Sequence, residues 1–278
     1  MKRLNVLVQA ILLLLVTGCN EDSSNNSATP NNISSGDDPN FTIVEHNDLG
    51  FTETNRKVVV FGISIYAYAN VEDEKLLHAA NIMAQYLDND EDGSVDNQVL
   101  LDELTLNNAK LYLWKTEDQT NLEAQDLGAD ETVPAWHDNG HVGEFDASLE
   151  EVWHVITHTG YANAYPAIFG EDTGTNLSIA MDAARKGQFI TIPSSYPLGA
   201  WYTYDDATCD YNCMVTEYFY WGMMSILGAQ ENRLAEVEQE WDLNTRALVQ
   251  TTDTDLYDLL TDVQYKLPTV LPDGTYKR

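Results

Sequence analysis

Apolar residues recur at three- and four-residue steps over residues 71–87. Leu76, Leu77, Ala80, Met83, Ala84 and Leu87 share one stripe, and Glu72, Asp73 and Glu74 crowd the first turn. This pattern predicts an amphipathic helix whose acidic start suits the helix dipole. Just before it, residues 57–66 are dense in β-branched and aromatic side chains and predict one buried strand. A second helix is predicted over 97–107 and a strand over Lys110–Trp114, and the polar stretch 115–133 reads as loop. Helical spacing returns over 149–159, 176–186, 214–227, 232–241 and 254–265. Gly187 stands where a C-terminal cap would end the 176–186 helix, and 189–192 before Pro193 reads as a short strand. No fixed repeat or heptad run interrupts the pattern. The fold class expected is α+β, a predominantly helical single domain with a small number of strands.

The first forty residues follow a different logic. Lys2 and Arg3 precede an apolar run from Leu4 to Val16, broken by Asn5 and Gln9, that falls short of the ~20 residues a spanning helix needs. It ends in Val16-Thr17-Gly18-Cys19. This segment resembles the lipobox of bacterial lipoproteins, which implies removal of a signal peptide at 1–18, lipidation of Cys19 and membrane attachment through that anchor. By the same resemblance Asn20 favours sorting to the outer membrane. Residues 19–40 are rich in Ser, Asn, Asp and Pro and cannot offset their ordering entropy by burial, so they read as a disordered tether. Residues 41–278 remain for one globular domain.

Charge narrows the partners. The chain carries a net charge of −31, and loss of Lys2 and Arg3 with the leader makes it more negative by two. Nucleic acid is disfavoured as a partner by such a field, whereas divalent cations are drawn to it. After lipidation two cysteines are left, Cys209 and Cys213, which predict a local disulfide in an oxidising compartment; the alternative is a two-thiolate metal site.

The segment Asp88-Asn89-Asp90-Glu91-Asp92-Gly93-Ser94-Val95-Asp96 places Asp88, Asp90, Asp92, Ser94 and Asp96 at alternate positions, with Gly93 at the sixth. Calcium takes six to eight hard oxygen ligands, and a tight acidic loop turning at glycine can aim them inward. The segment resembles the EF-hand or dockerin calcium loop, which implies Ca2+ bound between two helices. It departs from that loop at position twelve, Val99, where the family has a bidentate Glu; Asp102 or Glu103 would have to replace it.

Four of the six histidines fall at His137, His141, His154 and His158. Within the helix predicted over 149–159, His154 and His158 lie four apart on one face, with Glu150 and Glu151 just upstream. The pair resembles the zinc helix of zincin metallopeptidases. The resemblance implies Zn2+ held by His154, His158 and a third ligand, for which Glu217 on the downstream helix stands as the gluzincins' Glu does, and hydrolysis of a peptide or protein substrate. Val155 occupies the position of the zincins' general base, so Glu151 or Glu150 would have to serve, with Tyr161 stabilising an oxyanion. A plainer reading makes Ser148 and Glu151 a capping box, Gly160 a helix cap and the histidines core hydrogen-bonders. His137-Asp138-Asn139-Gly140-His141 reads as a loop. Tyr196, Trp201, Tyr202 and Tyr204 form an aromatic loop that either packs or stacks on ligands.

Two functions follow. One is a lipid-anchored metalloprotein with a structural calcium loop and a zinc-dependent, peptidase-like hydrolytic site. The other is a non-catalytic, calcium-stabilised surface lipoprotein that binds glycans or protein partners.

Overall fold

The computed structural model of the protein describes residues 38–278. The leader, Cys19 and the tether up to residue 37 lie outside the described residues. Among the described residues no helix is long and apolar enough to cross a membrane.

The architecture is α+β, with a five-stranded mixed sheet in sequence order. Residues 57–66, predicted as one strand, form a hairpin instead. β1 (Val44–Glu45) pairs antiparallel with β2 (Arg56–Val60), which turns at Phe61 and Gly62 into β3 (Ile63–Ala67). Both turn residues have positive φ, 46° and 92°, the geometry of a two-residue turn matched to strand twist. A phenylalanine there carries none of the usual Asn or Asp signal. α1 (Asp73–Leu87) and α2 (Gln98–Leu106) then lead to β4 (Lys110–Trp114), parallel to β3. These agree with the predicted helices and strand. β5 (Gln125–Gly128) lies inside the predicted loop and pairs parallel with β4, its polar composition fitting a sheet edge.

Helices cover one side and continue beyond the sheet. After α3 (Ala135–Asp138), a short helix that takes in His137 and Asp138 of the expected loop, α4 (Ser148–His154) packs against α1. Directly after His154 the chain widens into a π-helical segment, Val155–Tyr161. Gly160 lies within this segment rather than capping it. A Cβ there would sit 2.5 Å from Leu100 Cδ1 and 3.0 Å from Leu104 Cδ2, so glycine lets the segment close against α2. Short turns α5 (Ala162–Ala164) and α6 (Pro166–Phe169) precede α7 (Asn176–Ala184).

The end of α7 corrects the assignment of Gly187. Lys186 takes the left-handed position (φ 60°) and its N–H bonds Ala183 O, while Gly187 N–H bonds Asp182 O at 2.9 Å, the paired closure of a Schellman motif. No strand forms over 189–192. α8 (Tyr211–Leu227) begins at Asp210, whose side chain caps Cys213 N–H, and is buried along most of its length. Cys209 and Cys213 are joined as a disulfide across this first turn.

The helix predicted over 232–241 shrinks to α9 (Leu234–Val237), because Glu240 and Trp241 N–H both turn back to Val237 O. That turn lets the Trp241 indole donate to Ser225 Oγ at 2.9 Å. α10 (Arg246–Thr252), unpredicted, and α11 (Thr254–Leu260) pack on α8 and complete the domain. One continuous core runs through Trp136, Trp153, Tyr161, Phe219 and Trp241, each 1 % exposed or less.

Candidate metal centres

Burial of carboxylates without partners is costly, so each polar group inside this core requires an account of its neighbours. Three groups of His, Asp and Glu bring ligand atoms within 4.8 Å of one another: Glu150, Glu151 and His154; His78, His137 and Asp146; and Asp88, Asp90 and Asp92.

The first is built by α4 facing α8. His154 is 2 % exposed, with Nδ1 3.5 Å from Glu151 Oε2 and Nε2 3.6 Å from Oε2 of Glu217, itself 2 % exposed. At those separations neither contact is a hydrogen bond. His154 Nε2 and Glu217 Oε1 are both buried with no hydrogen-bond partner. Glu151 accepts from the Gln125 side chain on β5 at 2.5 Å. Burial, with Glu217 and Glu151 nearby, pushes the Glu150 carboxyl up to about 8. Burial works against the His154 imidazolium, but Glu217 and Glu151 outweigh it and hold its pKa well above the usual histidine value. Glu150, Glu151 and His154 thus converge, with Glu217 at the other ring nitrogen of His154, where hydrogen bonding leaves buried atoms unsatisfied; such a donor set could hold a metal.

His154 and Glu217 are therefore brought together, and His158 is not. The π-helical turn carries His158 off the α-helical stripe to a side chain 55 % exposed, where Nδ1 pairs with Glu171 at 2.8 Å. Glu171 also accepts from Thr216 Oγ1. The set His154, His158 and Glu217 is not among the converging groups of the described residues. Tyr161 is 1 % exposed and its hydroxyl donates to the carbonyls of Tyr265 and Lys266 (3.2 and 3.1 Å), away from His154. Ser148 is not an N-cap: Ala147 holds that position, and Ser148 Oγ donates to Asp146. Glu151 is thereby free of a capping role. Its spacing to His154, Glu-x-x-His, is the one by which carboxylate-rich metal sites draw two ligands from one helix, a ligand role beside the general-base role that the zincin resemblance implies for Glu151.

The second group lies where α1, α3 and the start of α4 meet. Asp146 Oδ2 receives His78 Nε2 at 2.7 Å and His137 Nε2 at 2.8 Å. Its Oδ1 accepts Val133 N–H at 2.9 Å and the backbone and hydroxyl of Ser148. Burial would raise this carboxyl, but the bonds from His137 and His78 outweigh it and hold it well below the usual carboxylate range. His141, the fourth clustered histidine, stacks on Trp136 at 4.3 Å between ring centroids.

The acidic loop gathers Asp88, Asp90 and Asp92, whereas Asp96 stands outside that group. Asp88 is fully buried and accepts Gly93 N–H and Asp92 N–H, and Asp96 Oδ2 closes the loop on Asn89 N–H at 2.7 Å. Burial, countered by that bond and reinforced by the three neighbouring aspartates, raises the Asp96 carboxyl. Asp102 and Glu103 face along their own helix, accepting from Gln98 at 2.7 Å and Asn107 at 3.0 Å. The C-terminal segment seats on the loop from the other side: Tyr276 OH donates to Asp88 Oδ2, and Asn89 Oδ1 accepts Thr269 and Val270 N–H.

The aromatic loop packs inward. Tyr202 OH donates to Met214 O at 2.7 Å, and Trp201 Nε1 donates to Asp253 Oδ2 at 2.7 Å. Tyr196 and Tyr204 line a cavity of about 460 Å³ with Pro193, Pro197 and Leu198. Near this loop, burial and the charges of Glu217, Asp205 and Asp206 raise the Glu240 carboxyl from 4.5 to about 7. Its ionisation therefore costs nothing below pH 4.5, and the cost grows until pH passes the folded value. Glu240→Gln is expected to remove ~1–2 kcal/mol of the stability lost between pH 5 and 8, discounting for partial exposure. Denaturant melts of both proteins across that range check this; parallel pH curves would refute it.

No family model, curated protein or solved structure matches the chain.

Proposed function

We propose that the protein is a metal-binding lipoprotein of the cell envelope, attached through Cys19, whose principal centre is the cluster of Glu150, Glu151, His154 and Glu217. The observation that carries this reading is the pair of orphaned buried atoms, His154 Nε2 and Glu217 Oε1, in the core beside two further carboxylates. A cation would supply both with a partner and offset the repulsion among the acids. Three carboxylates to one imidazole favour manganese or iron over zinc, the ion that two histidines would have selected. With His158 on Glu171 and Tyr161 on backbone carbonyls, the arrangement supports holding an ion better than peptide hydrolysis.

Elemental analysis of the full-length protein purified from membranes tests the reading. About one equivalent of manganese or iron per chain is expected, removable by chelator and absent from His154→Ala. Protein that is folded, metal-free and unable to take up manganese or iron would overturn it.

Calcium at Asp88, Asp90 and Asp92 is the second part of the proposal. Its support is the alternating acidic spacing and the convergence of the three carboxylates. Saturating calcium, at roughly 100 times its Kd, is expected to add about 2.7 kcal/mol, several degrees in Tm. The double substitution Asp90→Asn with Asp92→Asn, both exposed positions, should abolish that gain while leaving the calcium-free Tm nearly unchanged. Thermal melts with and without calcium decide it.

A further inference from the structure

We propose that His78, His137 and Asp146 form a second metal site, separate from the Glu-rich centre, for an imidazole-preferring divalent ion of zinc's class. The three ligand atoms arrive from α1, α3 and the residue two before α4, with His78 68 residues from Asp146, and meet in the interior. The side chains of His78 and His137 are each 6 % exposed and that of Asp146 is fully buried. Both imidazoles direct Nε2 at the same oxygen, Asp146 Oδ2, rather than dividing between the two carboxylate oxygens.

The surroundings hold these donors as a ligand set is held. Asp146 Oδ1 is fixed by Val133 N–H and Ser148, which turns Oδ2 toward the histidines, the arrangement by which outer partners orient a ligating carboxylate. The back of the His78 ring is fixed by Gly274 in the C-terminal segment. A Cβ at Gly274, whose φ is 78°, would lie 2.2 Å from His78 Nδ1 and Cε1.

Two histidines and one carboxylate are three ligands, and a tetrahedral ion at about 2.0–2.1 Å would keep its fourth position for water or another donor. Admitting it requires the rings to withdraw by about 0.5 Å and each imidazole to carry its proton on Nδ1, leaving the Nε2 lone pair for the ion. This donor set is richer in nitrogen than that of Glu150, Glu151, His154 and Glu217, so the two sites select different ions.

The test uses the full-length chain, stripped by chelator, returned to calcium and equilibrated with Zn2+. Zinc per chain is read by elemental analysis after dialysis, and Co2+ substitution gives the visible bands of a low-coordinate site. His137→Gln keeps an N–H for Asp146 and so tests coordination without removing the hydrogen bond. It is expected to lose one equivalent of zinc, with affinity falling about 100-fold or more, and to lose the cobalt bands, whereas Glu217→Gln keeps both. Equal zinc and cobalt binding by wild type and His137→Gln would overturn the proposal and leave Asp146 as a hydrogen-bonded clamp. Zinc bound solely at a Glu217-sensitive site would overturn it as well. Should His137→Gln unfold, His78→Gln supplies the same reading.

Discussion

Glu217→Gln is expected to remove most of the stabilisation that manganese confers while changing the metal-free protein little. In metal-free protein, Glu217 lies 3.6 Å from His154 Nε2. Replacing its charge relieves the repulsion that contributes to raising the Glu150 carboxyl, but it also removes an anion that holds the His154 imidazolium, so the two changes oppose each other and the metal-free Tm should stay near that of wild type. With manganese present the two proteins separate. An ion at roughly 100 times its Kd stabilises the native state by about 2.7 kcal/mol, which for a domain of this size is ~5–10 °C. Wild type should show that rise, and Glu217→Gln should show less than a third of it. Calorimetry with calcium saturating in every sample isolates the effect from the acidic loop. A Glu217→Gln protein that melts several degrees lower without metal and still responds fully to manganese would mean that Glu217 is a structural acid rather than a ligand. The hydrogen-bonding capacity of Gln makes the comparison one of charge, not of shape.

The parts of this protein legible in its sequence are those set by local periodicity. The stripe of α1 and the leucine- and aromatic-rich run of β4 follow from neighbours a few residues apart, and both stand where the pattern puts them. The hairpin at Phe61-Gly62 was hidden because a continuous apolar run does not say where it reverses. The π-helical segment is illegible for a related reason: a 3.6-residue period is assumed in reading the His pair, and the wider turn that parts His154 from His158 leaves no signature of its own. Asp146 shows the limit from the other side. Its partner His78 is 68 residues away, and no spacing rule joins them. Glu151 and His154 were legible as ligands by their three-residue step, but a step of four between histidines matched a more familiar pattern.

The tertiary arrangement also changes what the acidic loop does. A calcium loop between α1 and α2 would fasten two neighbouring helices. Here Gln85, Asn89 and Asp88 bind the C-terminal segment as well, through Asp273 and Gly274 N–H, Val270 N–H and Tyr276 OH. That segment is the one that presses Gly274 against His78. Loop, C-terminal segment and His78 are thus joined in one chain of contacts.

Asp146→Ala is expected to be the most damaging single substitution in the domain. The carboxylate is the common acceptor for His78 on α1, His137 on α3, Val133 N–H and Ser148 at the start of α4, so one group ties three segments. Alanine leaves two imidazole N–H groups and a backbone N–H buried without their common acceptor. Breaking a buried ionic cluster by removing one partner costs about 3–5 kcal/mol, which at ~2–4 °C per kcal/mol is a fall in Tm of roughly 6–20 °C. Asp146→Asn should fall less, because its carbonyl still serves Val133 and Ser148 and a change of imidazole tautomer lets one histidine accept from the amide. The loss also has a sign in pH. The folded carboxyl lies below its unfolded value of 3.8, so its contribution is present in full above that value and disappears as pH falls through the folded one. The gap between wild type and Asp146→Ala should therefore be constant near neutrality and narrow in acid, as chemical denaturation at pH 7 and below pH 4 would measure. A gap under about 1 kcal/mol at pH 7, or one that widens in acid, is incompatible with Asp146 being the charged hub of these three segments.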